Sequence, residues 1–229
     1  MLIPPGGPLV FPDPALADED GLLAVGGDLS AERLLLAYDH GIFPWHDVGL
    51  PPLWWSPDPR TIFELERLHV SRSMRRVLRQ ALFEVSFDRA FPDVMRACGS
   101  EREEGTWILP EMVAAYTQLH WLGHAHSFEV WQGGELVGGL YGVHRGGLFA
   151  AESMFHRRTN ASKVALIVAV RSLFAAGIEL FDVQFSTSHL ESLGAREISR
   201  GEYLERLAWV RDKHVDLHDL SRVVEAAAP

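Results

Sequence analysis

Cysteine is almost missing from this chain of 229 residues, with Cys98 standing alone. One thiol permits no internal disulfide, which fits a reducing compartment. With no histidine or second cysteine beside it, Cys98 reads as a half-buried structural thiol and not as a nucleophile. Long apolar runs are missing as well. The best candidate, residues 164–174, is too short for a bilayer and is interrupted by Arg171. No basic-plus-apolar signal pattern opens the chain, so a soluble, cytoplasmic protein with no membrane partner is expected. There is no Gly-x-Ser-x-Gly elbow, and the glycine-bearing stretch 21–27 lacks the Gly-Lys-Ser/Thr ending of a P-loop. His120, His124 and His126 read as a helix end and its exit loop, with no fourth ligand at suitable spacing, so no metal is expected. Basic charge is outweighed, the net being −10, which argues against a protein that coats nucleic acid.

What is present is apolar content, 47% of the chain, enough for a sizeable core in one large or two modest domains. Residues 1–60 are rich in proline, glycine and tryptophan. Ser30 is placed to cap a helix over 31–40, which Gly41 ends. Phe43-Pro44-Trp45-His46 and the stretch 53–60, LWWSPDPR, follow. Proline-fixed backbone with tryptophan builds a rigid stacking wall, although most of these rings suit the core of a small domain. A change of composition over residues 60–68 marks the boundary to a second part, 61–229. Its rhythm is clearer: a helix over 110–122, a strand over 128–132, a Gly133-Gly134 hairpin turn, and strands over 135–143 and 148–155. A capped helix ended by Gly177 and a strand over 178–185 come next, and residues 219–229 read as a frayed or simple helical tail. An antiparallel meander followed by a helix and a return strand is an α+β layout.

Two of these strands carry polar groups in apolar surroundings. Glu152 sits in one, Asp182 and Gln184 in the other. Strand alternation points Asp182 and Gln184 the same way, and likewise Glu152 and Met154. Each polar group is costly to bury without a partner, so a site explains them better than a core does. Elsewhere Arg72, Arg75, Arg76 and Arg79 recur at helical spacing and share one face, with Met74, Val77, Leu78 and Leu82 free to pack on the other. On most acidic proteins such a stripe is solvated surface. Here it also suits the phosphates of a transient RNA partner.

Taken together, GLLAVGGDLS, AYDHGIFPW, LWWSPDPR, SRSMRR, GGLYGV, ESMF, NASK, DVQ, HLESLGA and EISR resemble the bacterial leucyl/phenylalanyl-tRNA–protein transferases in this order over almost the whole chain. Ala151, His156 and the stretch 185–188 depart from the family pattern. The resemblance implies a small family-specific N-terminal domain, then a carboxy-terminal domain similar to the N-acetyltransferase fold. It implies transfer of Leu or Phe, with Met a further candidate, from aminoacyl-tRNA to proteins beginning with Arg or Lys, which marks them for degradation. A monomer is the expected state.

The aminoacyl ester is already activated, so no ATP, metal or organic cofactor is implied. The attacking α-amine has a pKa of about 7.7–8.0, so the site needs positioning and a proton route more than a strong base. Gln184 reads as an acceptor that orients this amine, and Asp182 as the group stabilising its developing positive charge. The family reading makes Gln184 a base polarised by Asp182, and a ribose hydroxyl is a third proton route. Glu152 reads as a group that binds the acceptor's N-terminal amine or its basic side chain. Leu140, Phe149, Met154, Leu166 and Leu173, each alone readable as core, line the aminoacyl pocket partly by resemblance and partly because alternation sets Met154 beside Glu152. Trp45 and Trp107 meet the tRNA 3′ end, and Arg72, Arg75, Arg76 and Arg79 hold acceptor-stem phosphates. The rival reading is an acyl-CoA N-acetyltransferase, against which residues 156–160 offer no glycine-rich pyrophosphate loop. A non-catalytic RNA-binding module would leave Asp182 and Gln184 unexplained.

Overall fold

The computed structural model describes residues 1–100 and 108–227. Two sheets organise it. The smaller has four strands in the order β1-β2-β4-β3: β1 (Leu2–Ile3), β2 (Leu22–Gly26), β3 (Phe43–Pro44) and β4 (Leu53–Trp55). Between β2 and β3 runs α1 (Ala31–Asp39). Ser30 Oγ accepts from Arg33 N, and Gly41 follows at φ 74°, so the cap and stop read from the sequence hold.

The larger sheet has seven strands in the order β11-β5-β10-β9-β8-β7-β6. Their ranges are β5 (Arg60–Phe63), β6 (Glu84–Phe87), β7 (Ala125–Gln132), β8 (Glu135–Arg145), β9 (Leu148–His156), β10 (Leu180–Gln184) and β11 (Arg196–Ile198). The β7–β8–β9 meander is the expected one, turned at Gly133 and Gly134, both at positive φ. Among the described residues only β9 and β10 run parallel within this sheet, joined by the crossover helix α5 (Ala161–Ala175). That is the α+β layout anticipated above. Asn160, however, opens α5 at φ 74° with no side-chain cap bond. Residues 60–68, read as a boundary, contribute β5, which pairs with both β10 and β11.

Helices cover both faces of the large sheet. On one side lie α2 (Arg72–Arg79), α5 and α8 (Leu220–Ala227), with Phe63, Phe149, Leu166 and Phe181 in the cluster beneath them. Of the two readings of the tail the helical one holds, and α8 is packed: Leu217, Leu220 and Val224 are buried. The other side holds α3 (Phe91–Ser100), α4 (Pro110–Trp121) and the N-terminal layer. Leu34, Tyr38, Ile42 and Trp54 share one apolar cluster with Val94, Met112, Tyr116 and Tyr141. Cys98 of α3 is fully enclosed in that cluster, deeper than the half-burial expected. A third, smaller cluster seats α7 (Arg200–Val210) against Ile62, Leu148 and Leu180. The short helix α6 (Ser188–Ser192) follows β10, with Thr187 Oγ1 accepting from Leu190 N. Among the described residues no helix is long and apolar enough to cross a membrane.

Candidate active site

The parallel pair β9 and β10 parts at its carboxyl end. Hydrogen-bonded register runs from Leu180 opposite Leu148 to Asp182 opposite Ala150 and stops there. A cavity of about 310 Å³ opens beyond that point. β9 supplies Glu152, Ser153 and Met154; the end of β10 supplies Val183, Gln184 and Phe185. Thr187 and Leu190 come from the start of α6, and Phe43, Pro44 and Trp45 from the small sheet. A larger cavity of about 410 Å³ lies elsewhere, beside Asp88, His126, His144 and His218, but it holds none of the anticipated site residues.

Both strands are irregular where the polar residues sit, so simple alternation fails at each. In β9, Tyr141 pairs with Ser153 and Gly142 with Ala151, which leaves Glu152 as a bulge residue. Met154 consequently packs toward the α5 side, while Glu152 turns to tyrosines of the opposite layer. In β10, Asp182 pairs with Ile62 but Gln184 with Thr61, and Gln184 takes φ 57°. A glutamine in the left-handed region is strained and persists only where its surroundings hold it.

Asp182 supplies that hold. It is fully buried, and its carboxylate accepts four bonds: Arg60 Nε at 2.9 Å and Gln184 N at 2.9 Å on Oδ1, Arg60 Nη2 at 2.6 Å and Tyr203 Oη at 3.1 Å on Oδ2. Arg60 is itself sealed, donates to Gly41 O at 3.0 Å, and lies against the rings of Phe43 and Tyr203. Burial alone would lower the Arg60 pKa, but the charge and hydrogen bonds of Asp182, with Tyr203 and Glu152 adding to them, together outweigh it and the net shift is upward. Burial also drives the Tyr203 hydroxyl upward, with Asp182 adding to it, so it stays a donor. Asp182 does not line the cavity.

Gln184 and Glu152 do line it. Gln184 Nε2 and Glu152 Oε1 are both buried without a hydrogen-bond partner. On the other side of the Glu152 carboxyl, Tyr116 Oη donates to Oε2 at 3.5 Å, and Tyr116 is in turn hydrogen-bonded to Tyr38. Burial pushes the Glu152 pKa up to about 8, with Asp182 raising it further while Arg60 and the tyrosine bonds oppose. Burial likewise raises both tyrosine hydroxyls well above their usual range. The cavity thus joins an apolar wall to a buried carboxyl of raised pKa and an amide whose Nε2 has no partner.

Trp45 is 40% exposed at the mouth, with its ring 5.6 Å from those of Trp55 and Phe185. Four of the five anticipated pocket residues do not reach the cavity. Leu140, Phe149, Leu166 and Leu173 lie in the core beneath it, where Phe149 meets Phe128 and Phe181. Trp107 lies outside the described residues. The α2 arginines Arg72, Arg75, Arg76 and Arg79 are all exposed, and among the described residues none is in an ion pair. Met74, Val77 and Leu78 pack inward as read, but Leu82 lies past the helix and is exposed. His69 N donates to Leu193 O at 2.9 Å, which ties the entry of α2 to the segment after α6. Of the residues the sequence did not single out, Arg60 ends one quoted motif and Tyr38 lies inside another, so both were within reach. Tyr116 and Tyr203 stand alone on helices and gave no signal.

A family model described as leucyl/phenylalanyl-tRNA protein transferase matches residues 62–208, and the model of that family's N-terminal domain matches residues 27–58. The leucyl/phenylalanyl-tRNA–protein transferase of Syntrophobacter fumaroxidans is 59% identical, covering 87% of each chain. That of Azotobacter vinelandii is 56% identical over 91% of this chain and 92% of its own. Among solved structures, a GCN5-related N-acetyltransferase from Kribbella flavida aligns with a TM-score of 0.39 at 12% identity, over 72% of this chain and 59% of that one.

Proposed function

This chain belongs to the leucyl/phenylalanyl-tRNA–protein transferase family and is an aminoacyltransferase, and from that premise we propose how its cavity works. Leu or Phe, and by extension Met, enters on the tRNA 3′ ester and lies against Phe43, Met154 and Leu190. Methionine is flexible enough to let one wall take both donors. The tRNA terminal base stacks at Trp45, and the exposed arginines of α2 hold stem phosphates, which position without reading sequence. The acceptor is a protein beginning with Arg or Lys, in keeping with the net charge of −10 and with Glu152 at the wall. The proposed setting is a monomer in the cytoplasm, where the added residue marks its target for degradation.

In this reading the observation that carries most weight is Glu152. An N-terminal α-ammonium has a pKa of about 7.7–8.0 and must lose a proton before it attacks. The Glu152 carboxyl, held up to about 8 by burial, is matched to accept it. The balance is simple. The amine nitrogen bonds to the ester carbon, the bond from that carbon to the ribose 3′ oxygen breaks, and the nitrogen's surplus proton ends on that oxygen. Gln184, with an unpartnered Nε2 at the wall, orients the reacting groups and holds no proton.

The test is transfer of labelled Leu from charged tRNA to a peptide beginning with Arg. A peptide beginning with Glu and a Val-charged tRNA are the controls. Label restricted to the Leu–Arg pair is expected. Label appearing equally on the Glu peptide would sink the acceptor assignment, and equal use of Val would sink the donor assignment.

A further inference from the structure

Asp182 is saturated. Its two oxygens accept Arg60 Nε, Arg60 Nη2, Tyr203 Oη and the Gln184 main-chain N–H, which fills the four acceptor positions of a carboxylate. A group so occupied and fully buried has no position left for an amine. It has none for the Gln184 side chain either. The Gln184 bond is the informative one, because it reaches the main chain of a residue held at φ 57°.

We infer that Arg60 and Tyr203 are positioning residues: they clamp the Asp182 carboxylate so that it holds the Gln184 backbone, and with it the Gln184 amide, at the cavity wall. Asp182 then acts as a bracket, not as a charge on the reacting amine. Arg60 suits the task because its planar fork meets both carboxylate oxygens while a third N–H reaches Gly41 O. Phe43 and Tyr203 enclose the guanidinium, and Phe43 itself lines the cavity, so the clamp also fixes one wall against the other. A lysine keeps the charge and loses the fork.

The inference deepens the proposed transfer reaction and rests on it, but one arm of its test needs no substrate. Arg60→Lys is expected to lower kcat about 10–100-fold with KM for charged tRNA within about twofold. Amide hydrogen exchange at Gln184 in the same variant is expected to speed up at least about tenfold, whatever the donor and acceptor prove to be. Asp182→Asn keeps an oxygen for the Gln184 N–H but strands the Arg60 charge. Arg60→Met combined with Asp182→Asn removes that charge and is expected to recover about tenfold in kcat over Asp182→Asn alone. Should the double variant fail to fold, Tyr203→Phe removes one bond to Oδ2 and leaves the ion pair, with an expected threefold to tenfold drop in kcat at about parental KM. Parental kcat and parental Gln184 exchange in Arg60→Lys would overturn the clamp. A double variant no better than Asp182→Asn, with its Gln184 amide still protected, would return the role to the Asp182 charge.

Discussion

Burial holds the Glu152 carboxyl at about 8, against about 4.5 for a free glutamate, and the titratable or charged groups facing it are Tyr38 on α1, Tyr116 on α4, Asp182 on β10 and Arg60 on β5. The raised value sets the sign of a stability effect. Between pH 4.5 and 8 the unfolded chain releases this proton and the folded chain keeps it. Folding stability therefore falls as pH rises through that window, by at most about 1.4 kcal/mol per unit, and levels off above it. Glu152→Gln removes the titration, so its urea midpoint is expected to exceed the parent's at pH 8 and to approach it at pH 5. Identical pH slopes in the two proteins would show that the carboxyl titrates normally. The same variant should lose about 10²–10⁴-fold in transfer rate if Glu152 takes the proton. Such a pairing of gained stability with lost turnover is characteristic of a buried group kept for chemistry.

At the scale of elements, α2 and the two bulged strands divide what the sequence revealed from what it hid. The α2 stripe was legible because helical spacing alone puts four arginines on one face, and the structure exposes all four. Replacing Arg76 and Arg79 with Ala is expected to weaken tRNA binding and to flatten the plot of log affinity against log salt by about 0.9 per lost phosphate contact. An unchanged salt slope would make the stripe ordinary solvated surface. The β7–β8–β9 meander was legible for a similar reason: glycine pairs and alternation mark its turns and edges. β5 was not, since four residues beginning with Arg60, just after two prolines, read as linker until both neighbouring strands are in place. The bulges at Glu152 and near Gln184 were beyond reach as well. Alternation assumes one residue per step, and each bulge inserts one more, so the faces assigned to Met154 and Asp182 shifted. Burial misled in a further way: Leu140, Phe149, Leu166 and Leu173 are apolar and close by, yet whether such a residue lines a cavity or fills the core beneath it depends on side-chain packing that periodicity does not encode.

The whole molecule raises the question of whether residues 1–60 and 61–229 are separable. The change of sheet falls where expected, between Trp55 of β4 and Arg60 of β5. The cores do not divide there. Ile3, Leu34, Ile42, Phe43 and Trp54 belong to one cluster with Val94, Met95, Met112 and Leu119. Polar ties cross the same seam: Asp39 receives a two-pronged contact from Arg145 at 2.8 and 2.6 Å, Ser56 O accepts from Arg200 at 2.7 Å, and Asp182 accepts from Arg60 at 2.9 and 2.6 Å. Removing residues 1–60 would expose partners whose burial is worth roughly 1.5–3 kcal/mol each when complete. It would also remove Arg60 itself, leaving the Asp182 charge buried and unpaired. Domains of this size have a net stability of only about 5–15 kcal/mol, so the loss of several such contacts exceeds what the remainder can absorb. The intact chain is accordingly expected to melt in one transition, with tryptophan fluorescence and far-ultraviolet circular dichroism coinciding. The fragment 61–229 is expected to show no cooperative melt and to bind a hydrophobic dye. Two separated transitions in the intact chain, or a cooperative melt of the fragment, would establish residue 60 as a true domain boundary. The cavity between the layers would then be an interface free to open, and Trp45 and Phe43 would approach the donor as parts of a moving wall, with transfer rates depending on closure as well as on Glu152.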